Sequence, residues 1–320
     1  MDMGVLMSNV ATVTADTKPP DKRGKPRKLP DKSMRKSSLW PFVIPAAIFY
    51  VFVVIWPNLQ GIGFAFTDWD GLSSDWSFAG LENFTKMFSD PKASGALIRT
   101  LLMAITITVV QNLIGLLLAL GVHTHIKSRN VLRVLFFAPA VITPVATAYL
   151  WQNLYSPNGA INEFLSLIGL DFLRQNWLGD SSLAMWAVTL VVIWQFAGYS
   201  MVIFLANLEG IPDEIIEASY VDGAGPFRRF WDIVRPELAP SITINLMLSI
   251  IGGLKIFDQV WVMTNGGPGG STETLSTLVY KNAFQLGHFS YGIAIAFVLA
   301  ILVAILSSFQ YFGLNKQNAE

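Results

Sequence analysis

Polar side chains recur inside stretches that are otherwise apolar, and their spacing puts them on shared helical faces. Gln195 and Tyr199 in "WQFAGYS" are four residues apart, so a helix stacks them on one side, with Phe196 beside them. Ser249, Gly253 and Ile256 follow at i, i+4 and i+7, and Gly252, Lys255, Asp258 and Gln259 lie in the same run. In apolar surroundings such groups are costly unless they pair with one another or meet a polar solute. The chemistry they offer is hydrogen bonding and one candidate ion pair, Lys255 with Asp258. Two readings stay open for each. Ser249 and Gly253 suit a solute contact and equally suit close helix packing by small residues. Lys255 and Asp258 suit a ligand contact and equally suit a structural pair near an interface. If the run begins its helix at Ser241, Lys255 lies about 20 Å along it.

Catalytic chemistry finds little footing. The sequence has no G-x-x-x-x-G-K-[ST], and "GGPGG" at 266–270 lacks the Lys and reads as a turn. There is no H-E-x-x-H and no nucleophile elbow. His123 and His125, two of three histidines, read as surface residues at a helix end. With no cysteine, disulfides and thiolate metal sites are excluded. The expectation is a chain that is not an enzyme, with no catalytic residue and no metal.

The elements that must position the polar groups follow from composition. The chain has 320 residues, 52% hydrophobic and 14% charged, against about 25% charged for ordinary soluble domains. Mean hydropathy is +0.48. Apolar runs near the length needed to cross a bilayer occur at about 39–63, 96–123, 131–151, 182–208, 241–263 and 288–313. The first starts late and no A-x-A-like site follows, so it reads as a span and not a cleaved signal. Each run is interrupted by Pro, Gly or a polar residue, which a bundle tolerates where neighbours satisfy the freed backbone. The fold class expected is an all-α membrane protein of six transmembrane helices.

Basic residues orient it. Nine of the 22 Lys and Arg lie from Lys18 to Lys36, and the same side adds Lys127, Arg129, Arg133, Arg228, Arg229, Arg235 and Lys316. The opposite loops hold Lys86, Lys92, Arg99, Arg174 and Lys281. The positive-inside rule then puts both termini in the cytoplasm. Residues 1–38 are basic, polar and Pro-rich and read as a disordered cytoplasmic tail. Zero net charge gives no reason to expect nucleic acid.

The cytoplasmic loop over 209–240 is unusually structured. Pro212 suits a first helical turn, and Asp213, Glu214 and Glu217 suit a helix N-terminus. That helix should run to about Asp222 and break at Gly223-Ala224-Gly225-Pro226. A second should start at Phe227, with Phe227, Phe230, Trp231 and Val234 as one apolar stripe packed on the bundle. Pro236 and Pro240 should close it. Such a helix pair could merely prop up the bundle, or it could dock another subunit.

Here the residues resemble a known family. Glu217-Ala218-Ser219, Gly223, Ile233 and Pro236 match the EAA loop of binding-protein-dependent ABC transporter permeases. "EASYVDGAGPF", "GLENF" at 80–84, "RVLFFAPAVITP" at 133–144 and "MTNGGPGGSTETL" at 263–275 resemble the large permease of maltose-type sugar importers. The resemblance covers about 39–313, and two positions depart from it: Ser219 replaces the second Ala, and Arg235 replaces the Leu before Pro236. It implies an ABC importer permease bundle in a bacterial-type inner membrane. The first loop helix becomes a cytoplasmic coupling helix seated on an ATPase subunit, with Glu217, Ala218, Ser219, Asp222 and Gly223 as coupling residues. The small Ala218 and Ser219 would allow close approach there. It implies a second homologous permease, two ATP-binding cassette ATPases that hydrolyse the ATP, and an extracytoplasmic solute-binding protein. It implies a sugar, above all an oligosaccharide, contacted from Gln195, Phe196, Tyr199 and Ser249. Gly253 and Ile256 stand where the maltose protein has Asn, which points away from maltose itself. An importer for glycerol phosphate or its diesters, with Lys255 facing the anion, is the alternative. A stand-alone secondary carrier would require paired internal repeats, and none is visible.

Overall fold

Apolar residues dominate the long runs, and in lipid only intra-segment hydrogen bonding satisfies their backbone, so helices are the form these runs must take. The computed structural model describes residues 40–124 and 126–317. The tail expected over 1–38 and His125 lie outside them. Among the described residues there is no strand, only an isolated bridge between Thr67 and Phe78.

The chain divides into two units, Met1–Val54 and Ile55–Glu320. The described part of the first is α1 (Trp40–Tyr50) and the start of a π-helical turn, Val51–Ile55. Ile48, Phe49 and Phe52 are exposed there, as a lipid-facing helix would have them. The second unit holds α2 (Trp56–Phe64), α3 (Glu82–Ser89), α4 (Pro91–His123), α5 (Arg129–Val141), α6 (Pro144–Leu154), α7 (Ala160–Leu167) and α8 (Ala184–Leu208). There follow α9 (Asp213–Val221), α10 (Pro226–Arg229), α11 (Arg235–Glu237), α12 (Ala239–Leu254), α13 (Asp258–Thr264), α14 (Leu275–Tyr280) and α15 (Phe289–Gln317).

Four stretches are long and apolar enough to cross a membrane: Val43–Phe64, Pro91–His123, Ala184–Leu208 and Phe289–Gly313. Two bent pairs bring the number to as many as six. The helix α4 starts at Pro91, five residues before the apolar run, because Asp90 caps it by accepting from the Lys92 amide at 2.8 Å and Pro91 suits the first turn.

The run expected as one span over 131–151 is broken. Helices α5 and α6 meet at 98°. Pro144 excludes a helical Thr143, which is extended (φ −61°, ψ 144°), and Thr143 Oγ1 then accepts from the Ala146 amide. The run expected over 241–263 is broken too. Helix α12 ends at Leu254 behind Gly252 and Gly253, Phe257 is non-helical (φ −135°, ψ −60°), and α13 begins at Asp258. Glycine weakens a helix interior by about 1 kcal/mol, so the break falls where the chain holds it least.

The helix α8 is the hub. It packs on α4 and α5, while α12 packs on α4 and α15, and α13 packs on α6. Two glycines allow the closest approaches. A Cβ at Gly198 would run into the backbone of Phe136 and Phe137 on α5. One at Gly253 would stand 2.7 Å from the Ala104 Cα on α4. Met103, Ile107, Val188 and Val191 fill the core between α4 and α8. A second cluster around Met201, Phe204, Leu208 and Leu238 ties the end of α8 to the start of α12.

The loop helices α9 and α10 form as expected, but only part of the apolar stripe packs: Val234 lies against the Leu208 and Leu238 cluster and Phe230 is half-buried. Phe227 is 78% exposed and Trp231 is also exposed. A π-helical turn, Phe230–Val234, follows α10, and the Phe227 and Trp231 rings still share a face, with centroids 6.0 Å apart. Pro236 does not close the segment either. It is accommodated within α11, and the bend of 69° comes after it, before α12.

Candidate functional site

The two breaks and the middle of α8 enclose a cavity of about 460 Å³. Helix α8 supplies Phe196, Tyr199 and Ser200. The break between α12 and α13 supplies Lys255, Ile256, Phe257, Asp258 and Gln259. Helix α12 adds Asn245, Ser249, Gly252 and Gly253, and α4 adds Ile107 and Gln111. A cavity of 300–1,000 Å³ with a mostly apolar wall and a few polar groups is the usual form of a small-solute site.

Nine of the residues singled out in the sequence meet here: Phe196, Tyr199, Ser249, Gly252, Gly253, Lys255, Ile256, Asp258 and Gln259 all line the cavity. Gln195 does not. It is fully buried, its Nε2 donating to the Ile142 carbonyl at 2.9 Å and its Oε1 accepting from Gln259 Nε2 at 3.0 Å. Four-residue spacing brought Gln195 and Tyr199 near one face, but the 98° break drew the Gln side chain toward an unpaired carbonyl.

The candidate ion pair does not form. Among the described residues neither Lys255 nor Asp258 has an ion-pair partner, and both border the cavity. The chain between them is not helical, so three residues do not amount to one turn. Ser249 and Gly253 answer to both of their readings, since Gly253 lines the cavity and also admits α4.

A polar network was missed in the sequence. Gln111 Nε2 donates to Ser200 Oγ at 2.9 Å, and Asn112 Nδ2 donates to Ser249 Oγ at 2.8 Å. Ser249 Oγ donates to the Asn245 carbonyl at 2.7 Å, and Asn245 Nδ2 donates to the Ser200 carbonyl at 3.4 Å. The signal was present, since "QN" at 111–112 and Asn245 are polar interruptions of apolar runs. Asn112 Oδ1 is buried without a partner.

The second candidate region is the loop helix α9. Glu217, Ala218 and Asp222 are exposed on it, together with Tyr220 and Val221, which is 88% exposed. Ser219 is buried, and its hydroxyl donates to the Ile216 carbonyl, three residues back within α9, at 2.6 Å. Gly223 ends the helix at φ +74°, in the left-handed region that favours glycine, and its amide donates to the Tyr220 carbonyl. Across the turn, the Arg229 guanidinium lies 3.7 Å from the centre of the Tyr220 ring and its Nη2 donates to the Ala224 carbonyl. That clamp fixes the angle between α9 and α10. No group of three or more His, Cys, Asp or Glu among the described residues could hold a metal.

Comparison with known proteins gives four findings. Residues 111–315, more than half of the chain, match the family model described as binding-protein-dependent transport system inner membrane component. The multiple sugar-binding transport system permease of Streptococcus mutans is 33% identical over 279 residues, 87% of this chain and 96% of that protein. The sn-glycerol-3-phosphate transport system permease of Pectobacterium atrosepticum is 33% identical over 285 residues, 86% of this chain and 94% of that one. The fold is shared with a crystal structure of a bacterial ABC transporter involved in import of the acidic polysaccharide alginate. The TM-score is 0.77 at 22% identity, over 88% of this chain and 96% of that chain.

Proposed function

The chain belongs to the family of inner membrane components of binding-protein-dependent transport systems, and from that premise we propose that it is the permease subunit of an ATP-driven importer for a sugar, above all an oligosaccharide. The observation that carries this is the cavity wall. Tyr199, Ser200, Asn245, Ser249 and Gln259 offer it neutral donors and acceptors between apolar helices. Such a wall suits a neutral solute rich in hydroxyls, because a low-dielectric site rewards matched hydrogen bonds and penalises unmatched ones. The relative named for multiple sugars supports the same class.

In this reading a second permease completes the pore and an extracytoplasmic binding protein delivers the solute. Two ATPase subunits dock on the cytoplasmic side, where both termini also lie. Glu217, Ala218, Ser219, Asp222 and Gly223 present α9 to the ATPase. ATP binding draws the coupling helices together and turns the cavity outward, and hydrolysis by the partner resets it. This chain binds no cofactor and catalyses no reaction. Its part is to hold the solute on Phe196, Tyr199, Ser249 and the residues of the second break.

A second reading has its own support. Lys255 faces the cavity without an ion-pair partner among the described residues, and one relative is named for sn-glycerol-3-phosphate. Co-purification followed by uptake into proteoliposomes separates the two. Sugar uptake that needs ATP and both partner classes is the expected result. Uptake of glycerol phosphate but no sugar favours the alternative, and uptake without any ATPase overturns both.

A further inference from the structure

The carbonyl of Ile142 lies at the end of α5, where the chain turns 98° into α6. In an unbroken helix it would accept from the amide of residue 146. That amide instead meets Thr143 Oγ1, and Pro144 has no amide to offer. An unpaired carbonyl inside an apolar bundle is costly. Gln195 answers it, donating Nε2 at 2.9 Å.

That single bond fixes two more groups. A carbonyl only accepts, so Gln195 must turn its Nε2 to Ile142 and its Oε1 the other way. The Oε1 faces Gln259, which must therefore present its own Nε2, at 3.0 Å. The Oε1 of Gln259 then has no protein partner among the described residues, although Gln259 borders the cavity. We infer that Gln195 is a positioning residue: by bridging the two helix breaks it locks Gln259 with an acceptor oxygen toward the cavity, ready for a hydroxyl of the solute. Rotated the other way, the same amide would offer a donor and would favour phosphate oxygens. The orientation therefore selects hydroxyl-bearing solutes over acceptor-only ones at this point of the wall. The inference rests on the importer reading above.

The test is a double-mutant cycle of Gln195→Leu and Gln259→Ala on the purified permease with its partners. Two quantities are read: thermal stability, and binding of tritiated maltotriose, raffinose and diacetylchitobiose with glycerol phosphate as the contrast. Each single variant should lose about tenfold in affinity for the best-bound sugar, and the double variant should lose no more than either, because they act through one hydrogen bond. The stability cycle should be equally non-additive. Gln259→Glu should weaken sugar binding as well, since a carboxylate cannot donate to Gln195. Additive losses in both cycles, or full affinity in Gln259→Ala, overturn the inference. Gln195→Leu gives up a buried bond, so if it cannot be purified the milder Gln195→Asn takes its place in the cycle. If the wild type binds none of the sugars, the importer reading for sugars fails, and the stability cycle alone decides whether Gln195 and Gln259 are coupled.

Discussion

The cavity and the α9–α10 loop are held in opposite ways. Around the cavity, hydrogen bonds join residues far apart in the chain: Gln195 to Ile142, Gln111 to Ser200, Asn112 to Ser249. In the loop they join near neighbours: Ser219 to Ile216, Gly223 to Tyr220, Arg229 to Ala224. The cavity therefore exists only once several helices have assembled, whereas the loop's shape is set within about twenty residues. On the proposed importer reading, a chain that changes shape around its solute while α9 passes force from an ATPase needs this division. On that reading the cavity would rearrange as its helices shift, and the α9–α10 loop would keep its own form.

The largest effect should come from breaking the assembly on the cavity side. Gly198 lets α5 lie against α8, with the Phe136 carbonyl where a side chain would be. Gly198→Leu should cost about 3 kcal/mol or more, because the obstacle is backbone and cannot rotate away. The expected outcome is loss of the monodisperse peak on size-exclusion chromatography. A well-folded variant would mean that the α5–α8 approach is not essential to the cavity.

The loop should break differently. Proline cannot adopt the φ of +74° found at Gly223 and would also remove the amide bonded to Tyr220. Gly223→Pro should leave expression and membrane insertion intact while reducing solute uptake at least tenfold. Gly223→Ala should be mild: its Cβ meets open space and the conformation costs about 1 kcal/mol. Normal uptake in Gly223→Pro would remove the distinction between a lever and a prop.

How legible each region was follows from the same division. The α9 helix, its turn at Gly223 and the start of α10 were readable because caps, glycine and proline act locally. The stripe from Phe227 to Val234 was legible at Val234, which packs on the Leu238 cluster, but not at Phe227 and Trp231, because periodicity does not say how much of a helix face a neighbour covers. Around the cavity, Tyr199 and Ser249 were found as polar residues in apolar runs. The role of Gln195 was not, since it depends on a carbonyl exposed by a bend 53 residues earlier in the chain. Lys255 and Asp258 looked paired only while the helix was assumed to run through them.

A smaller effect tests the network itself. Asn112→Ala and Ser249→Ala each remove one side of a buried bond of 2.8 Å. Each should cost about 1 kcal/mol, with a coupling near 0.6, the usual value for such bonds between membrane helices. Thermal denaturation of the singles and the double measures it. A coupling of zero would make this contact incidental and leave the cavity held by apolar packing alone.

The smallest effect belongs where the two regions join. Arg133 at the start of α5 and Glu209 at the end of α8 form an ion pair at 2.6 Å. It stands beside the apolar cluster of Leu208 and Leu238, which already ties α8 to α12. Both side chains are partly exposed, at 27% and 49%, so solvent and salt screen the pair and its worth is below about 1 kcal/mol. The charge swap Arg133→Glu with Glu209→Arg should therefore recover whatever either single change loses, and raising the salt should erase the difference between them. Leu238→Ala, at a fully buried site in that cluster, should cost about 2–5 kcal/mol. If the single charge variants matched that loss, the junction would be held by electrostatics, and the lever would be coupled to its frame far less tightly in salt than packing implies.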